Sequence, residues 1–145
     1  MDEFYDKVPI DGEIILDCPD TDSIVVSTPF DGKPTYFYYN MKTNGFPAYG
    51  EILFNKQKVI FDKEDSFGVL NWGRGVFPYK SKWYWGTASG LLNGVPFGFN
   101  IGNGAGNTSA ATENMLFYDR IGHKLSEVDF YIPEKKAKMP KMISK

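Results

Sequence analysis

The stretch WYWGTASGLLNGVPFGFNI, at residues 83–101, decides the fold class. Asn93-Gly94 at its centre predicts a β-hairpin, because both residues of a tight hairpin turn need a positive φ. A two-residue loop sets Leu92 opposite Val95, and the pairs continue outward in steps of two. One face of the hairpin then places large residues opposite small ones, namely Val95, Phe97, Phe99 and Ile101 against Leu92, Gly90, Ala88 and Gly86.

The other face of this hairpin carries Trp83, Trp85, Thr87 and Ser89, with Asn100 opposite Thr87. Two indoles followed by two hydroxyls suit a surface that is half apolar and half polar. Such a face can form the wall of a ligand pocket. The alternative is a second packing layer whose hydroxyls are hydrogen-bonded locally, and the sequence leaves both interpretations open.

Further β signals lie on both sides of the hairpin, as short runs of β-branched and aromatic residues separated by turn formers. They predict strands at 13–17, 23–28 and 35–40, a hairpin over 49–62 turning at Asn55-Lys56, and a last hairpin that joins 114–118 to 123–131. No run predicts a helix of ten residues. The pattern therefore predicts an all-β fold, either an antiparallel barrel or a strongly curved sheet.

The composition is that of one ordered domain. The chain has 145 residues, 42% of them hydrophobic and 23% charged, which is enough for one core. Residues 133–145 contain five Lys and one Glu. We predict a single antiparallel β domain over 1–132 and a basic, loosely ordered tail over 133–145. The tail is expected to be solvated, and a patch for a membrane or a nucleic acid is the alternative.

Charge and residue counts exclude several classes of partner. The net charge of −2 argues against a nucleic-acid binder. No apolar run approaches the roughly 20 residues of a transmembrane helix. The acidic start at residues 1–4 lacks the pattern of a secretory signal, so a cytoplasmic location is expected. With Cys18 and His123 as the only residues of their types, we expect no internal disulfide, no metal site and no cofactor.

The most distinctive motif is NWGRGVFPY at 71–79. A glycine on each side of Arg74 permits positive φ or a close approach of another backbone. An arginine held there can stack on Trp72 or Tyr79, or bind a carboxylate through two hydrogen bonds. The alternative, which we favour, is a structural corner in which Arg74 ties a loop to backbone carbonyls.

Candidate catalytic residues lie further along the chain. Thr112-Glu113-Asn114 is a dense polar run, in which a buried Glu113 could act as a general acid or base. Histidine is the usual acid–base residue near neutral pH, although a lone histidine such as His123 is more often structural. Together with Arg74, these residues are the only set from which an acid–base enzyme could be assembled.

Several of these motifs resemble an uncharacterised, mainly bacterial family, the domain of unknown function 2804. The resemblance covers 65–128 and is carried by five pieces in one order, at 66–79, 82–86, 98–102, 111–114 and 123–125. The family usually reads D-W-G-R-G-x-W-P-Y, with N-L-G and T-E-N following. Asn71 stands where the family prefers aspartate, and Phe77 where it prefers tryptophan. If that aspartate were a catalytic acid, its activity would be absent here.

The resemblance also bears on length and fold. Family members are roughly twice as long or more, so the chain is expected to hold only the central portion of the family pattern. Strand edges that are normally paired would then be exposed, and a homo-oligomer could cover them. A distant likeness to lipocalin-like proteins, including carotenoid hydratases, implies a calycin-like barrel around an apolar cavity. That likeness concerns the fold and transfers no function.

Three functions follow as hypotheses, in this order. The first is a binding module for a hydrophobic or amphipathic small molecule, and the second is a structural or assembly domain without a ligand. The third is an enzyme of the hydratase or isomerase type acting on a lipid or isoprenoid, with Glu113, His123 and Arg74 as its acid–base residues. The expected ligand-binding residues are Trp72, Arg74, Tyr79, Trp83, Trp85, Thr87, Ser89, Asn100, Glu113 and Asn114.

Overall fold

A computed structural model describes residues 9–109 and 111–131, and it places them in two antiparallel sheets without a helix. The first sheet holds β1 (Ile10–Leu16), β2 (Ser23–Phe30), β3 (Lys33–Phe54), β4 (Gln57–Phe61) and β5 (Phe67–Val76). The second holds β6 (Tyr84–Leu92), β7 (Val95–Asn103), β8 (Met115–Tyr118) and β9 (Ile121–Lys124). The predicted all-β antiparallel class is confirmed.

β3 organises the first sheet, because its 22 residues pair with all four of the other strands. The first part of β3 lies between β2 and β5, and the last part lies between β1 and β4. A β-bulge between Asn44 and Phe46 separates the two parts, with Gly45 at a φ of 82°. Bulges increase the local twist, so one continuous strand can serve two sets of partners.

The second sheet is a meander in the order β6-β7-β8-β9. Leu92 pairs with Val95 and Thr87 pairs with Asn100, which confirms the register predicted from the Asn93-Gly94 turn. The turns at Asn55-Lys56 and Asp119-Arg120 also have positive φ at both residues, and they join the other two predicted hairpins.

Three predictions about strands were wrong. The strand predicted at 123–131 covers only Ile121–Lys124, because its partner β8 is four residues long. The strand predicted at 35–40 extends over Lys33–Phe54, because the bulge accommodates Gly45 and lets the strand continue past Pro47. The stretch expected to form a corner at 71–79 is instead largely the strand β5, which ends at Val76. Gly75 fits there because a Cβ at this position would lie 2.1 Å from the carbonyl oxygen of Phe37 on the paired strand.

The two sheets pack through β3 and β5 of the first against β6 and β7 of the second. No strand of one sheet pairs with a strand of the other within residues 9–109 and 111–131, so the predicted barrel is not confirmed. Across the same residues, no helix could cross a membrane. The basic tail predicted at 133–145 lies outside the described residues, and the single domain over 1–132 stays a prediction.

The interior is unusually polar for its size. The buried apolar side chains in the described chain are Ile24, Phe46, Ala48 and Phe117. A larger group of buried residues is polar or charged: Thr28, Asn40, Lys42, Thr43, Asn44, Asn100, Glu113 and Asn114. Buried polar groups need hydrogen-bond partners, so the packing of the sheets depends on specific polar contacts as well as on apolar area.

Candidate functional site

A cavity of about 370 Å³ lies between the two sheets. Its volume falls within the range of roughly 300–1,000 Å³ typical of small-molecule sites. Half of its lining residues are aromatic, and its polar groups include one lysine and one glutamate. The lining residues are Phe30, Tyr38, Lys42, Asn71, Phe77, Ser81, Trp83, Trp85, Ala105 and Glu113.

Lys42 enters the cavity from the first sheet. Tyr38 and Lys42 share a face of β3 because side chains alternate along a strand, and Asn71 of β5 is the register partner of Lys42. Lys42 Nζ donates to Asn71 Oδ1 and, at 3.3 Å, to the Tyr38 hydroxyl. It also lies 5.0 Å from the centre of the Trp85 ring. The ammonium group is therefore held by groups from both sheets.

Glu113 faces Lys42 from the segment before β8. Its Oε2 lies 3.5 Å from Lys42 Nζ, and the two side chains are only 8% and 3% exposed. Despite this proximity, Oε2 accepts no hydrogen bond from any residue that the structure describes. A Cβ at position 102 would lie 2.1 Å from Glu113 Oε1, so Gly102 is what allows the carboxylate to lie against β7.

Hydrogen bonds from β7 hold the Glu113 carbonyl and the Asn114 side chain. The Trp85 indole Nε1 donates to Asn100 Oδ1 at 2.8 Å, and Asn100 Nδ2 donates to the Glu113 carbonyl at 2.8 Å. The Gly102 backbone N–H donates to Asn114 Oδ1 at 2.8 Å. The cavity wall and the carboxylate segment are thus held in one network.

Lys124 supports the same segment from β9. Its ammonium group donates to the Thr112 carbonyl at 2.6 Å and to the Asn114 carbonyl at 3.1 Å. Desolvation by burial lowers the pKa of Lys124, and the negative charge of Glu113 partly opposes this effect. Lys124 therefore fastens the residues that flank Glu113 without lining the cavity.

Thr87 and Ser89 lie on the same hairpin face as the cavity tryptophans but serve a different purpose. Asn44 Nδ2 donates to Thr87 Oγ1 at 2.9 Å and to the Phe99 carbonyl at 3.1 Å. The Gly45 backbone N–H donates to Ser89 Oγ at 3.0 Å. Both hydroxyls thus join the bulge of β3 to the second sheet. This face of the hairpin therefore has two parts. Trp83 and Trp85 form a cavity wall, and Thr87 and Ser89 form a polar layer that packs against β3.

Three of the predicted site residues, Trp83, Trp85 and Glu113, line the cavity. Four others form polar contacts outside its lining, namely Thr87, Ser89, Asn100 and Asn114. The remaining four lie on the surface away from it. Arg74 is exposed and packs 5.6 Å from the centre of the Tyr39 ring, which Trp72 contacts edge-on at 5.9 Å. Tyr79 is fully exposed, and His123 is exposed on β9. The predicted set of Glu113, His123 and Arg74 is therefore not assembled, because alternation along β5 turns Arg74 away from the face of Asn71.

Lys42 and Tyr38 line the cavity, although no motif in the sequence marks them as site residues. The alternation of side chains along a strand could have placed them on one face. Tyr38, Asn40 and Lys42 stand at every second position of the strand predicted at 35–40 and of the residues that follow it. A charged residue on such a face normally indicates solvent, because lysine is almost never fully buried unless it is paired. Its partner, Glu113, is 71 positions away, so only the fold reveals the pair.

The arrangement offers an apolar cavity with one polar wall, and its chemistry is that of carboxylate, ammonium, amide and phenol. No group of three or more His, Cys, Asp or Glu side chains within 9–109 and 111–131 is placed to hold a metal ion. A small molecule could contact aromatic rings over most of its surface and meet hydrogen-bonding groups at one end.

Comparison with protein families matches residues 1–145 to a domain of unknown function (DUF2804). No curated protein and no solved structure matches significantly. The match extends beyond 65–128, where the motifs described above lie, and covers all of the sequence. The chain therefore belongs to the family described as domain of unknown function (DUF2804).

Proposed function

We propose that this protein binds a small amphipathic molecule in the cavity between its two sheets. The apolar body of the ligand would contact the aromatic wall, and its polar end would face Lys42 and Glu113. The observation that carries the proposal is a buried ion pair on the wall of a mainly apolar cavity of about 370 Å³. A buried ion pair contributes little to the stability of a protein on average. A contribution to stability is therefore a weak explanation for the presence of Lys42 and Glu113 in the interior.

The aromatic wall supports the proposal because its rings brace one another. Phe77 contacts Phe30 at 5.9 Å and Tyr38 at 5.4 Å between ring centres. Trp85 of β6 and Trp83, just before this strand, complete the wall, and both are partly exposed. A wall of braced rings offers preformed contact area, which limits the entropy that binding must offset.

The two alternative functions have less support. A structural domain would leave a dry interior with the Glu113 carboxylate bonded to backbone, whereas Glu113 forms an ion pair with Lys42 and lines the cavity. An acid–base enzyme built on Glu113, His123 and Arg74 lacks two of those residues at the cavity. The lipocalin-like barrel, the cytoplasmic location and assembly through strand edges stay predictions from the sequence.

Binding is tested with N-phenyl-1-naphthylamine, a neutral apolar dye whose emission rises on leaving water. We expect saturable enhancement with the full chain. Ala105→Phe places a ring in the cavity and should weaken dye binding about tenfold or more, since the space for the ligand is filled.

The matched control is Ala88→Phe, which adds the same ring at an exposed position of β6 outside the cavity. Circular dichroism and urea unfolding verify that both variants fold. Absence of saturable dye binding to the wild type contradicts the proposal, as does equal weakening by the two substitutions.

A further inference from the structure

We infer that the cavity selects a ligand whose polar end is an uncharged carbonyl oxygen, which accepts a hydrogen bond from the side-chain amide of Asn71. This inference rests on the proposed function and names the class of ligand. It separates ketones and esters from fatty acids that share the same apolar body. The observation that carries it is the orientation that Lys42 imposes on the Asn71 amide.

Asn71 is the part of the polar wall that a ligand reaches. The side chains of Lys42 and Glu113 are only 3% and 8% exposed, so little of their ion pair is open to a molecule in the cavity. Asn71 lines the same cavity and is exposed. It is the register partner of Lys42, so the two side chains lie on one face of the sheet. A ligand end that faces the ion pair therefore meets the Asn71 amide.

Lys42 determines which end of the Asn71 amide is available. An ammonium group only donates, so it bonds the oxygen of an amide and not the NH₂ group. Lys42 Nζ donates to Asn71 Oδ1, which engages the acceptor of this side chain. Nδ2 carries two N–H donors, and no acceptor among the described residues takes either of them. The Asn71 amide therefore offers donors to a ligand.

The other polar groups of the lining agree with this polarity. The Tyr38 hydroxyl accepts from Lys42 at 3.3 Å, and its own O–H finds no acceptor in the part of the chain that the structure describes. Ser81 carries a hydroxyl that both donates and accepts, so it favours neither kind of ligand. A carbonyl oxygen is thus the ligand group that matches the donors around Lys42.

Charge argues against an acid as the polar end. Lys42 and Glu113 are the charged residues of the lining, and as an ion pair they carry no net charge. A carboxylate would leave water without an unmatched cation to receive it, and it would lie near Glu113. A ketone or ester oxygen accepts the same hydrogen bond without that cost. The remaining wall, with rings such as Phe30, Phe77 and Trp83, suits an apolar body.

Two ligands of equal carbon number test the inference by displacing the bound dye: 2-undecanone and undecanoate. With the wild-type chain at neutral pH, we expect 2-undecanone to displace the dye at concentrations about tenfold lower. In isotope-edited infrared spectra, the carbonyl band of bound 2-undecanone should lie at a lower wavenumber than in hexane, because an accepted hydrogen bond weakens the C=O bond. Neither measurement needs a variant.

Asn71→Asp assigns the hydrogen bond to this side chain. It keeps the size of the side chain and an acceptor for Lys42, but it replaces the two N–H donors by an oxygen. The affinity for 2-undecanone should fall about tenfold, whereas the affinity for the neutral dye should change twofold or less.

Asn93→Asp is the matched control, because it makes the same change outside the cavity. Its position is the Asn-Gly turn between β6 and β7, and such turns accept Asp-Gly as well. The control should leave both affinities unchanged, and circular dichroism verifies that both variants fold.

The outcomes separate the two proposals. Undecanoate as effective as 2-undecanone, or a bound carbonyl band at its hexane position, overturns the carbonyl selectivity and leaves the binding function standing. The selectivity also fails if 2-undecanone does not displace the dye, or if Asn71→Asp weakens its binding no more than the control does. Absence of saturable dye binding overturns the binding function itself.

Discussion

At the scale of the residue, the buried amide of Asn44 links the two sheets. Asn44 joins the bulge of β3 to β6 and β7, and Asn100 joins Trp85 to the Glu113 carbonyl. Each such amide is useful only while its partners are in place, because an unpaired buried polar group is costly.

Asn44→Ala removes the donor shared by Thr87 Oγ1 and the Phe99 carbonyl. We predict a loss of about 1–3 kcal/mol in the free energy of unfolding, measured by urea titration. Asn103→Ala, at an exposed position of β7, is the control and should change it by no more than about 0.5 kcal/mol. Equal effects of the two substitutions would refute the linking role of Asn44.

Gly102→Ala tests the packing of Glu113 against β7. The new Cβ would lie 2.1 Å from Oε1 and 2.9 Å from Cγ, so the buried carboxylate must move. We predict about a tenfold loss of dye affinity. Gly86→Ala is the control, since its nearest neighbour, Ile101 Cγ1, is 3.6 Å away at ordinary contact distance. Unchanged affinity in Gly102→Ala would contradict the prediction.

Lys124 gives a prediction about pH. Burial lowers its pKa in the folded state below 10.5, so the unfolded chain binds this proton more tightly. Raising the pH from below the folded pKa towards 10.5 therefore increases stability through this group. In Lys124→Met this contribution is absent, so the free energy of unfolding should rise less, or fall more, over that range. A variant whose pH profile runs parallel to the wild type would disprove the assignment.

At the scale of the element, local turn chemistry explains what the sequence could predict. Asn93 and Gly94 determine the register of their hairpin because the turn and its first pairs lie within a few residues of each other. β3 was predicted too short, since a strand through Gly45 and Pro47 depends on partners supplied by distant strands. Lys42 was missed for the same reason, because the side chains that pair with it are remote in sequence.

Gly94→Ala tests the turn directly. Gly94 has a φ of 79°, where a Cβ is strained, so we predict a loss of about 1–2 kcal/mol in unfolding free energy. Gly90→Ala in the same hairpin is the control, because Gly90 has no positive φ and no atom within 4 Å of an added Cβ. Its stability should stay the same or rise slightly in urea titration. Equal losses in both variants would contradict this account.

At the scale of the whole molecule, the first sheet exposes apolar surface where β1 and β4 flank the last part of β3. A groove of about 490 Å³ is lined there by Ile14, Leu16, Ala48, Phe61, Ser66, Phe67 and Gly68. Among the described residues, β1 and β4 each pair only with β3, so their outer edges are open. Open edges beside apolar side chains favour pairing between copies.

We therefore predict concentration-dependent self-association, measured by sedimentation velocity. Ile60→Lys places a charge on the edge strand β4, where Ile60 is 71% exposed, and should reduce association about tenfold. Ile121→Lys makes the same change on β9 of the other sheet and should have little effect. A sedimentation coefficient independent of concentration in the wild type would refute the prediction.

The continuity of β3 also determines where the polypeptide can be interrupted. A break in the middle of β3 would separate Lys42, with its cavity partners on β5, from the residues that pair with β1 and β4. A break at the Asn93-Gly94 or Asp119-Arg120 turn would leave every strand whole. Circular permutants and split reporters should therefore begin at those turns, and β3 should be transferred to any chimera as one piece.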